Sequence, residues 1–143
     1  MADRVQMRLL IDTNIFLEVI LEQSNASEAR ALLTKTEEHE FFLTDYSLHS
    51  IGLLLFRRQQ HDVFQGFLDD MLVRAGMSVV SLLPDDMPAL IQTAQQFNLD
   101  FDDSYQYLAA GKSDLRIVSF DHDFDKTERG KRTPIEITSG QGV

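Results

Sequence analysis

The sequence predicts an α/β fold of three layers, in which helices cover both faces of a mostly parallel central sheet. Short apolar segments alternate with longer segments whose apolar residues recur every three or four positions, as strands alternating with helices do. Parallel neighbours need crossover connections, and helices are the usual ones. The chain has 143 residues, of which 43% are hydrophobic and ten are Phe. It is long enough to bury a core, and it predicts a single domain over residues 1–143.

Each predicted strand is a short apolar segment bounded by polar residues. In chain order these segments are 8–11, 41–44, 78–82, 116–119 and 135–137. The first is followed directly by Asp12 and the fourth leads to Asp121, so a carboxylate stands at the end of each. The last segment would add a final strand to the sheet.

The predicted helices lie between the strands, where apolar residues follow helical spacing. In chain order they are 15–21, 25–38, 45–55, 61–75, 84–98 and 104–111. Asn25 or Ser27 is expected to cap the second helix, and Asp45 the third, because short polar side chains accept hydrogen bonds from the first free N–H groups. Gly76 stands where the fourth helix would end.

The composition limits the ligands and compartments that the chain can use. With no cysteine, disulfides and thiolate-held metals are excluded, so any metal must be held by oxygen or imidazole ligands, which favours hard cations such as Mg²⁺ or Mn²⁺. No apolar run approaches the roughly 20 residues that span a membrane, and Met1 to Arg8 lacks the apolar centre of a secretion signal. We therefore expect a soluble, cytoplasmic protein.

The formal net charge of −10 is opposite to the basic balance of a protein whose whole surface binds a polyanion. It argues against a dedicated DNA-binding module. It does not argue against a nuclease, because metal ions offset the repulsion between carboxylates and phosphate. Basic residues would then act locally, and two groups of them are available. They are Arg57 with Arg58, and Lys126, Arg129, Lys131 and Arg132.

Acidic residues occur at three boundaries that the predicted topology brings to one edge of the sheet. They are Asp12 after the first strand, Asp102 and Asp103 at the start of a helix, and Asp121 and Asp123 after the fourth strand. Sites in such folds collect at the carboxyl ends of strands. Capping or turn formation explains each Asp alone, but close carboxylates are costly unless a cation neutralises them. Their coincidence favours a divalent metal site with phosphoryl-transfer chemistry.

The opening of the chain resembles a known family. Residues 9–17 read LLIDTNIFL and closely resemble the first motif of PIN domains. The resemblance implies a PIN-like fold in which Asp12 binds metal and Thr13 and Asn14 lie beside it. Together with two later motifs, it extends from residue 8 to about residue 137, nearly the whole chain.

Two later segments resemble PIN motifs in the order that the family has them. Residues 99–110 look like the helix that carries the family's third acid, and residues 117–124 are similar to the ending of its last conserved strand. The residues that these segments imply are Asp103, with Asp102 as the close alternative, and Asp121, with Ser119 and Asp123 in support.

One expected family feature is missing. PIN nucleases are expected to carry a Glu on the helix after the second strand, and Ser50 falls at or next to that position. Loss of this carboxylate removes a negative charge and an acceptor, which should weaken metal binding and cleavage. His49 is the nearby group that could substitute as a ligand, although imidazole suits Mn²⁺ better than Mg²⁺. Glu18 is expected at the surface.

The resemblance implies a Mg²⁺- or Mn²⁺-dependent endoribonuclease similar to the VapC-like toxins of bacterial toxin–antitoxin pairs. It implies hydrolysis of RNA, a homodimer, and an antitoxin partner that inserts into the site. The roles that follow are metal binding by Asp12, Asp103 and Asp121, orientation of water or phosphate by Thr13, Asn14 and Ser119, and steering of RNA by Arg57 or Arg58.

Two alternatives stay open from the sequence. A non-catalytic or weakly active PIN-like module, acting as a protein or RNA interaction surface, is favoured by the missing Glu and by the net charge of −10. A doubly wound domain of the receiver type also binds Mg²⁺ at strand ends. That class has two adjacent acids after the first strand, whereas Asp12 stands alone.

Overall fold

A four-stranded sheet forms the centre of the computed structural model, which describes residues 6–140. The strands lie in the order β3-β2-β1-β4, and all neighbouring pairs are parallel. They are β1 Arg8–Ile11, β2 Glu40–Thr44, β3 Ser78–Val80 and β4 Arg116–Val118. Four of the predicted strands are thereby confirmed, and the last two of these end earlier than expected.

Helices connect the strands and cover both faces of the sheet, which confirms the predicted three-layer α/β fold. They are α1 Thr13–Ile20, α2 Ala26–Leu33, α3 Asp45–Arg57, α4 His61–Leu68, α5 Met87–Phe97, α6 Phe101–Ser113 and α7 Pro134–Thr138. A π-helical segment, Asp69–Arg74, continues α4, and short 3-10 helices at Pro84–Asp86 and His122–Lys126 precede α5 and follow β4. None of the helices within residues 6–140 has the length and apolarity needed to cross a bilayer. Residues 1–5, which belong to the N-terminal stretch predicted to lack a secretion signal, lie outside the described residues.

Different helices bury the two faces of the sheet. Leu9 and Ile11 of β1 pack on one face with residues of α1 to α4 and α7, whereas Leu10 packs on the other face with residues of α5 and α6. Successive side chains of a strand point to opposite faces. A central parallel strand is covered on both sides, which explains why β1 is a continuous apolar run.

The predicted final strand at 135–137 is wrong, because these residues belong to α7. The Thr133 hydroxyl accepts a hydrogen bond from the Glu136 N–H at 3.4 Å, and the Glu136 carboxylate accepts from the Thr133 N–H at 2.9 Å. Pro134 stands at the first helical position. This capping box and the proline favour a helix start, and they outweigh the β-propensity of the two isoleucines that follow.

The second helix is shorter than predicted. α2 ends at Leu33 rather than near Glu38. The Thr34 hydroxyl donates to the Ala31 carbonyl at 2.7 Å, so a side chain occupies a carbonyl oxygen to which a backbone N–H would donate if the helix continued. Hydroxyl side chains that bond to the backbone in this way compete with helix continuation.

The predicted caps of the second and third helices need correction. Asn25 occupies the N-cap position of α2 but makes no side-chain capping bond, and Ser27 lies inside the helix. At α3 the cap is Thr44 rather than Asp45, because the Thr44 hydroxyl accepts from the Ser47 N–H at 3.0 Å. Asp45 is the first helical residue, which leaves its carboxylate available for a tertiary contact.

Candidate metal centre

The carboxyl ends of two neighbouring strands bring Asp12 and Asp121 to the same edge of the sheet. Asp12 follows β1 directly, and its N–H donates to the carbonyl of Val118, the last residue of β4, at 3.0 Å. The first turn of α6 carries Asp102 and Asp103. These acids therefore meet where sites of open parallel sheets are expected.

Asp103, Asp121 and Asp123 form one compact acidic group. Each can offer a carboxylate oxygen, and these oxygens lie within 4.8 Å of one another. Asp103 is buried, Asp121 is half-buried and Asp123 is exposed. A side-chain hydrogen bond joins Asp103 and Asp121, and Asp121 Oδ1 accepts from the Asp123 N–H at 2.8 Å. The short helical turn after β4 thus aims two carboxylates at the start of α6.

Asp12 is buried beside this group and is held from both sides. Its Oδ1 accepts from the Thr13 N–H at 2.8 Å and from Gln106 Nε2 at 3.2 Å. Its Oδ2 accepts from Ser119 Oγ at 2.7 Å and from Asn14 Nδ2 at 3.4 Å. Thr13 and Asn14, which were predicted beside Asp12, lie next to it. Ser119, which was predicted to support Asp121, and Gln106 also contact Asp12.

The Ser119 hydroxyl links the two strand-end acids. It donates to Asp12 Oδ2 and accepts from the Asp121 N–H at 2.9 Å. Asn14 Nδ2 lies 3.2 Å from the same hydroxyl oxygen, and Asn14 Oδ1 accepts from the Phe120 N–H at 3.4 Å. These contacts fix the exit of β4 against the start of α1.

Gln106 was missed by the sequence reading, although it is completely buried in the site. Its Nε2 donates to Ser47 Oγ at 2.6 Å and lies 3.3 Å from Thr13 Oγ1. The Thr13 and Ser47 hydroxyls are themselves 2.7 Å apart. Gln106 follows Asp103 by three positions, a spacing that places both on one helix face. That spacing is the signal that could have identified it.

Burial and mutual repulsion raise the pKa of three carboxyls in the site. Burial raises the pKa of Asp12 from 3.8 to about 7. Burial, with the charges of Asp100 and Asp121, raises the pKa of Asp102 to about 6. Burial, with the hydrogen bond and charge of Asp121, raises the pKa of Asp103 to about 8. The site thus concentrates more negative charge than the surrounding protein compensates.

The donor set fits an oxygen-preferring divalent cation. Carboxylates are the ligands that such cations favour, and a cation among them would offset the repulsion that raises their pKa values. Three buried side-chain oxygens of α6, which are Asp102 Oδ1, Ser104 Oγ and Gln106 Oε1, have no hydrogen-bond partner within residues 6–140. Buried polar atoms are normally paired. A cation with its waters would supply partners of the kind that these oxygens lack.

Ser50, the residue predicted at or next to the position of the missing Glu, is paired with another hydroxyl side chain. Ser50 is half-buried on α3 and makes a side-chain hydrogen bond with Tyr46, one turn earlier. The Tyr46 ring packs on Phe101 at the start of α6, and burial and the charge of Asp102 raise the pKa of the Tyr46 phenol. Neutral groups therefore stand where a fourth carboxylate was expected.

Three further polar residues near the predicted site motifs have other surroundings. His49 is exposed and lines an apolar hollow on α3 and α4. Glu18 accepts a hydrogen bond from the Asn25 N–H at 2.6 Å and so serves the start of α2. The His122 side chain is 90% exposed and lies 3.3 Å from Asp125.

The two basic groups differ in their distance from the acids. Arg57 and Arg58 are exposed at the carboxyl end of α3, roughly 18 Å along the helix from its first residue. Lys126 lies close to the acidic group, with its Nζ 3.8 Å from Asp123 Oδ1. The other members line a cavity beside the start of β4 and are Arg129, Lys131 and Arg132.

Comparison with known families gives one match that covers most of the chain. A family model described as PIN domain matches residues 9–130. The matched stretch includes β1, α6 and β4, and with them Asp12, Asp103 and Asp121. No curated protein matches the sequence.

The chain is also similar in fold to solved crystal structures. PAE2754 from Pyrobaculum aerophilum has 15% identity and a TM-score of 0.63, over 96% of this chain and 91% of that one. VapC20 from Mycobacterium tuberculosis, described as a sarcin-ricin loop cleaving toxin, has 16% identity and a TM-score of 0.68, over 82% and 92%. VapBC2 from Rickettsia felis, in a structure bound to a DNA fragment from its promoter, has 12% identity and a TM-score of 0.69, over 89% of this chain and 97% of that one. At these identities the likeness is evidence about the fold.

Proposed function

Because the chain belongs to the PIN domain family, we propose that it is a Mg²⁺- or Mn²⁺-dependent endoribonuclease that hydrolyses RNA phosphodiester bonds. The observation that carries the proposal is the convergence of Asp103, Asp121 and Asp123 at one point, with the buried Asp12 beside them. Such a site suits a phosphate substrate, since one cation can bind carboxylates and phosphate together.

In this proposal Asp12, Asp103 and Asp121 hold the cation, with Asp102 and Asp123 in support. When bound, the cation supplies Lewis-acid activation of water and neutralisation of the charge that develops on the phosphate. A water oxygen forms a bond to phosphorus, and the bond between phosphorus and one ribose oxygen breaks. That ribose oxygen takes up a proton, so the products are an alcohol and a phosphate monoester.

Polar neighbours of Asp12 orient the reacting groups. The Ser119 hydroxyl contacts both Asp12 and the Asp121 N–H, so it keeps the two strand-end acids at a constant separation. Thr13 and Asn14 begin α1 beside them and would position water or phosphate. Held in this way, the carboxylates need little rearrangement when substrate arrives, which favours catalysis.

We extend the proposal to the toxin of a toxin–antitoxin pair, a cytoplasmic homodimer whose target is RNA. The support is that VapC20, a sarcin-ricin loop cleaving toxin, and VapBC2 have a similar fold. A surface suited to a protein partner is also available on α3 and α4. There Leu53, Phe56 and Val63 are 54%, 55% and 39% exposed, and apolar patches of this kind are typical of interaction sites.

Cleavage of labelled single-stranded RNA in Mg²⁺ or Mn²⁺ tests the proposal. Asp12→Asn should lower the rate roughly 100-fold or more, because it removes a ligand charge while keeping the shape of the side chain. Asp62→Asn, an exposed acid on α4, is the matched control and should cleave at the wild-type rate. Equal rates for wild type and Asp12→Asn would exclude this site as the source of cleavage.

A second candidate function rests on the neutral side chain at Ser50. Without the fourth carboxylate, the fold would act as a non-catalytic or weakly active module that binds RNA or a protein through the same edge. This candidate predicts that wild-type protein binds RNA or a partner but produces no cleavage above the rate of Asp12→Asn. The cleavage assay therefore separates the two candidates.

A further inference from the structure

An exposed aromatic side chain begins the helix that carries Asp102 and Asp103. Phe101 is 52% exposed, although Phe is usually buried in folded proteins. Its ring centroid lies 5.8 Å from that of Tyr46 and 6.1 Å from that of Tyr105. The Tyr46 and Tyr105 rings are 5.6 Å apart, so the three rings form one aromatic cluster with Phe101 at its surface.

From this arrangement we propose that Phe101, supported by Tyr46, is a stacking platform for a nucleobase of single-stranded RNA next to the phosphodiester held at the acids. The inference rests on the proposed function, because it assumes an RNA substrate. It adds a base-binding subsite to a site described so far only by its carboxylates.

The position of Phe101 links the platform to the reacting phosphate. Phe101 is the first residue of α6, and Asp102 and Asp103 follow it in the same turn. Side chains one or two positions apart on a helix do not face each other, so the link runs through Tyr46. The Phe101 ring packs on the Tyr46 ring, and burial together with the charges of Asp102 and Asp103 raises the pKa of the Tyr46 phenol. A base on the ring and its own phosphate at the acids therefore belong to adjacent parts of one strand.

The platform is held in place before any ligand binds. The Tyr105 hydroxyl donates to Asp45 Oδ1 at 2.6 Å and accepts from the Leu82 N–H at 3.0 Å. Tyr46 is tied to Ser50 by a side-chain hydrogen bond. A rigid aromatic surface loses little conformational freedom when a ligand stacks on it, which favours binding.

Stacking can contribute affinity for RNA that the negative net charge of the chain does not provide. A chain of charge −10 gains little affinity for RNA from its overall field. The face of a base carries no charge, and stacking on aromatic rings accepts every base. Single-stranded RNA offers unstacked bases, so the expected ligand is single-stranded and of relaxed sequence at this position.

Fluorescence can test the platform without any cleavage step. The chain has no tryptophan, so Phe101→Trp introduces a single indole at the platform. Val73→Trp is the control, because Val73 is 76% exposed and lies on the π-helical segment that precedes β3, at the end of the sheet opposite the acids. An oligouridylate of about ten nucleotides, added with Ca²⁺ so that a cation can join the carboxylates to the phosphate, should quench Phe101→Trp in a saturable way and leave Val73→Trp unchanged. Equal quenching of both variants, or of neither, would overturn the inference.

Affinity measurements separate a stacking role from a structural one. In Ca²⁺, Phe101→Ala should bind the same RNA roughly tenfold more weakly, whereas Phe101→Tyr and Val73→Ala should bind as wild type does. An abasic oligonucleotide should not discriminate wild type from Phe101→Ala. Unchanged circular dichroism establishes that each variant is folded. If Phe101→Ala does not fold, the quenching of Phe101→Trp still tests the platform.

Different experimental outcomes would refute the stacking platform and the proposed nuclease function. RNA cleavage that is abolished by Asp12→Asn, with no effect of Phe101→Ala on binding, refutes the platform and leaves the nuclease. Selective quenching of Phe101→Trp without any cleavage refutes the nuclease and leaves an RNA-binding platform.

Discussion

The amide of Gln106 occupies the centre of the site without adding charge to it. It donates to Asp12, which lies 94 positions earlier in the chain, and to Ser47 of α3. A further buried carboxylate at this point would add repulsion to an already crowded group, whereas a neutral donor stabilises the charged form of Asp12. Gln106 therefore joins three segments of the chain at little electrostatic cost.

Ser50 offers a direct test of how much the missing carboxylate matters. Ser50→Glu would add an acid beside Tyr46, whose phenol is affected by the charge of Asp102, so the affinity for Mn²⁺ should rise by about tenfold or more. Isothermal titration calorimetry on metal-free protein measures this affinity. His49→Glu provides the matched control, because it adds the same charge one residue away on the exposed face of α3.

The two variants should behave differently if Ser50 occupies the family position. His49→Glu is expected to change the affinity less than twofold, since an exposed charge is screened by solvent and salt. An affinity that is unchanged or lower in Ser50→Glu would mean that the position of Ser50 in the family motif has been misassigned.

The first turn of α6 combines a cap with two site acids. Asp100 is the N-cap residue, and its carboxylate accepts from the Asp103 N–H at 2.8 Å. The N-terminus of a helix carries a partial positive charge, which stabilises nearby carboxylates. The partial positive charge at the start of α6 therefore offsets part of the repulsion between Asp102, Asp103 and Asp121, which is stronger because these carboxylates are shielded from water.

The capping box of α7 explains why a β-rich sequence forms a helix, and it can be tested by stability. Thr133→Ala removes the hydroxyl that accepts from the Glu136 N–H, so the free energy of unfolding should fall by about 1 kcal/mol. Urea denaturation followed by circular dichroism measures the change. Thr138→Ala, at the exposed end of the same helix, should change stability by less than about 0.5 kcal/mol. Equal effects of the two substitutions would contradict the role of the cap.

The acidic edge should make the stability of the whole protein depend on pH. In the folded state the pKa of Asp102 is about 6, that of Asp12 about 7 and that of Asp103 about 8, against 3.8 for an ordinary Asp. Between roughly pH 4 and pH 8 the folded protein therefore holds protons that the unfolded chain has released. Stability must then fall as pH rises through this window.

Thermal unfolding of metal-free protein tests this dependence. The melting temperature should drop by about 5 °C or more between pH 5 and pH 8, and Mn²⁺ should raise it more at pH 8 than at pH 5, because the cation binds the deprotonated carboxylates. Asp103→Asn should flatten the profile between pH 6 and pH 8. A melting temperature that rises with pH in the absence of metal would refute the assigned repulsion.

Local patterns were enough to predict most of the fold and the elements that carry the acids. Alternating apolar runs and helical spacing identified four strands and the helices between them, because backbone periodicity and turn chemistry are properties of neighbouring residues. Asp12 and Asp121 could be placed at one edge because parallel strands end together. The strand predicted at 135–137 failed where a capping box competed with β-propensity.

The composition of the site was decided by tertiary structure. Gln106 meets Asp12, and Ser119 meets Asp12 across 107 positions, only because α6 and β4 pack beside β1. Local sequence determined that carboxylates would stand at strand and helix ends. Which oxygens converge, which are buried and how strongly their pKa values rise depend on distances between segments far apart in the chain, and these distances are set when the helices pack on the sheet.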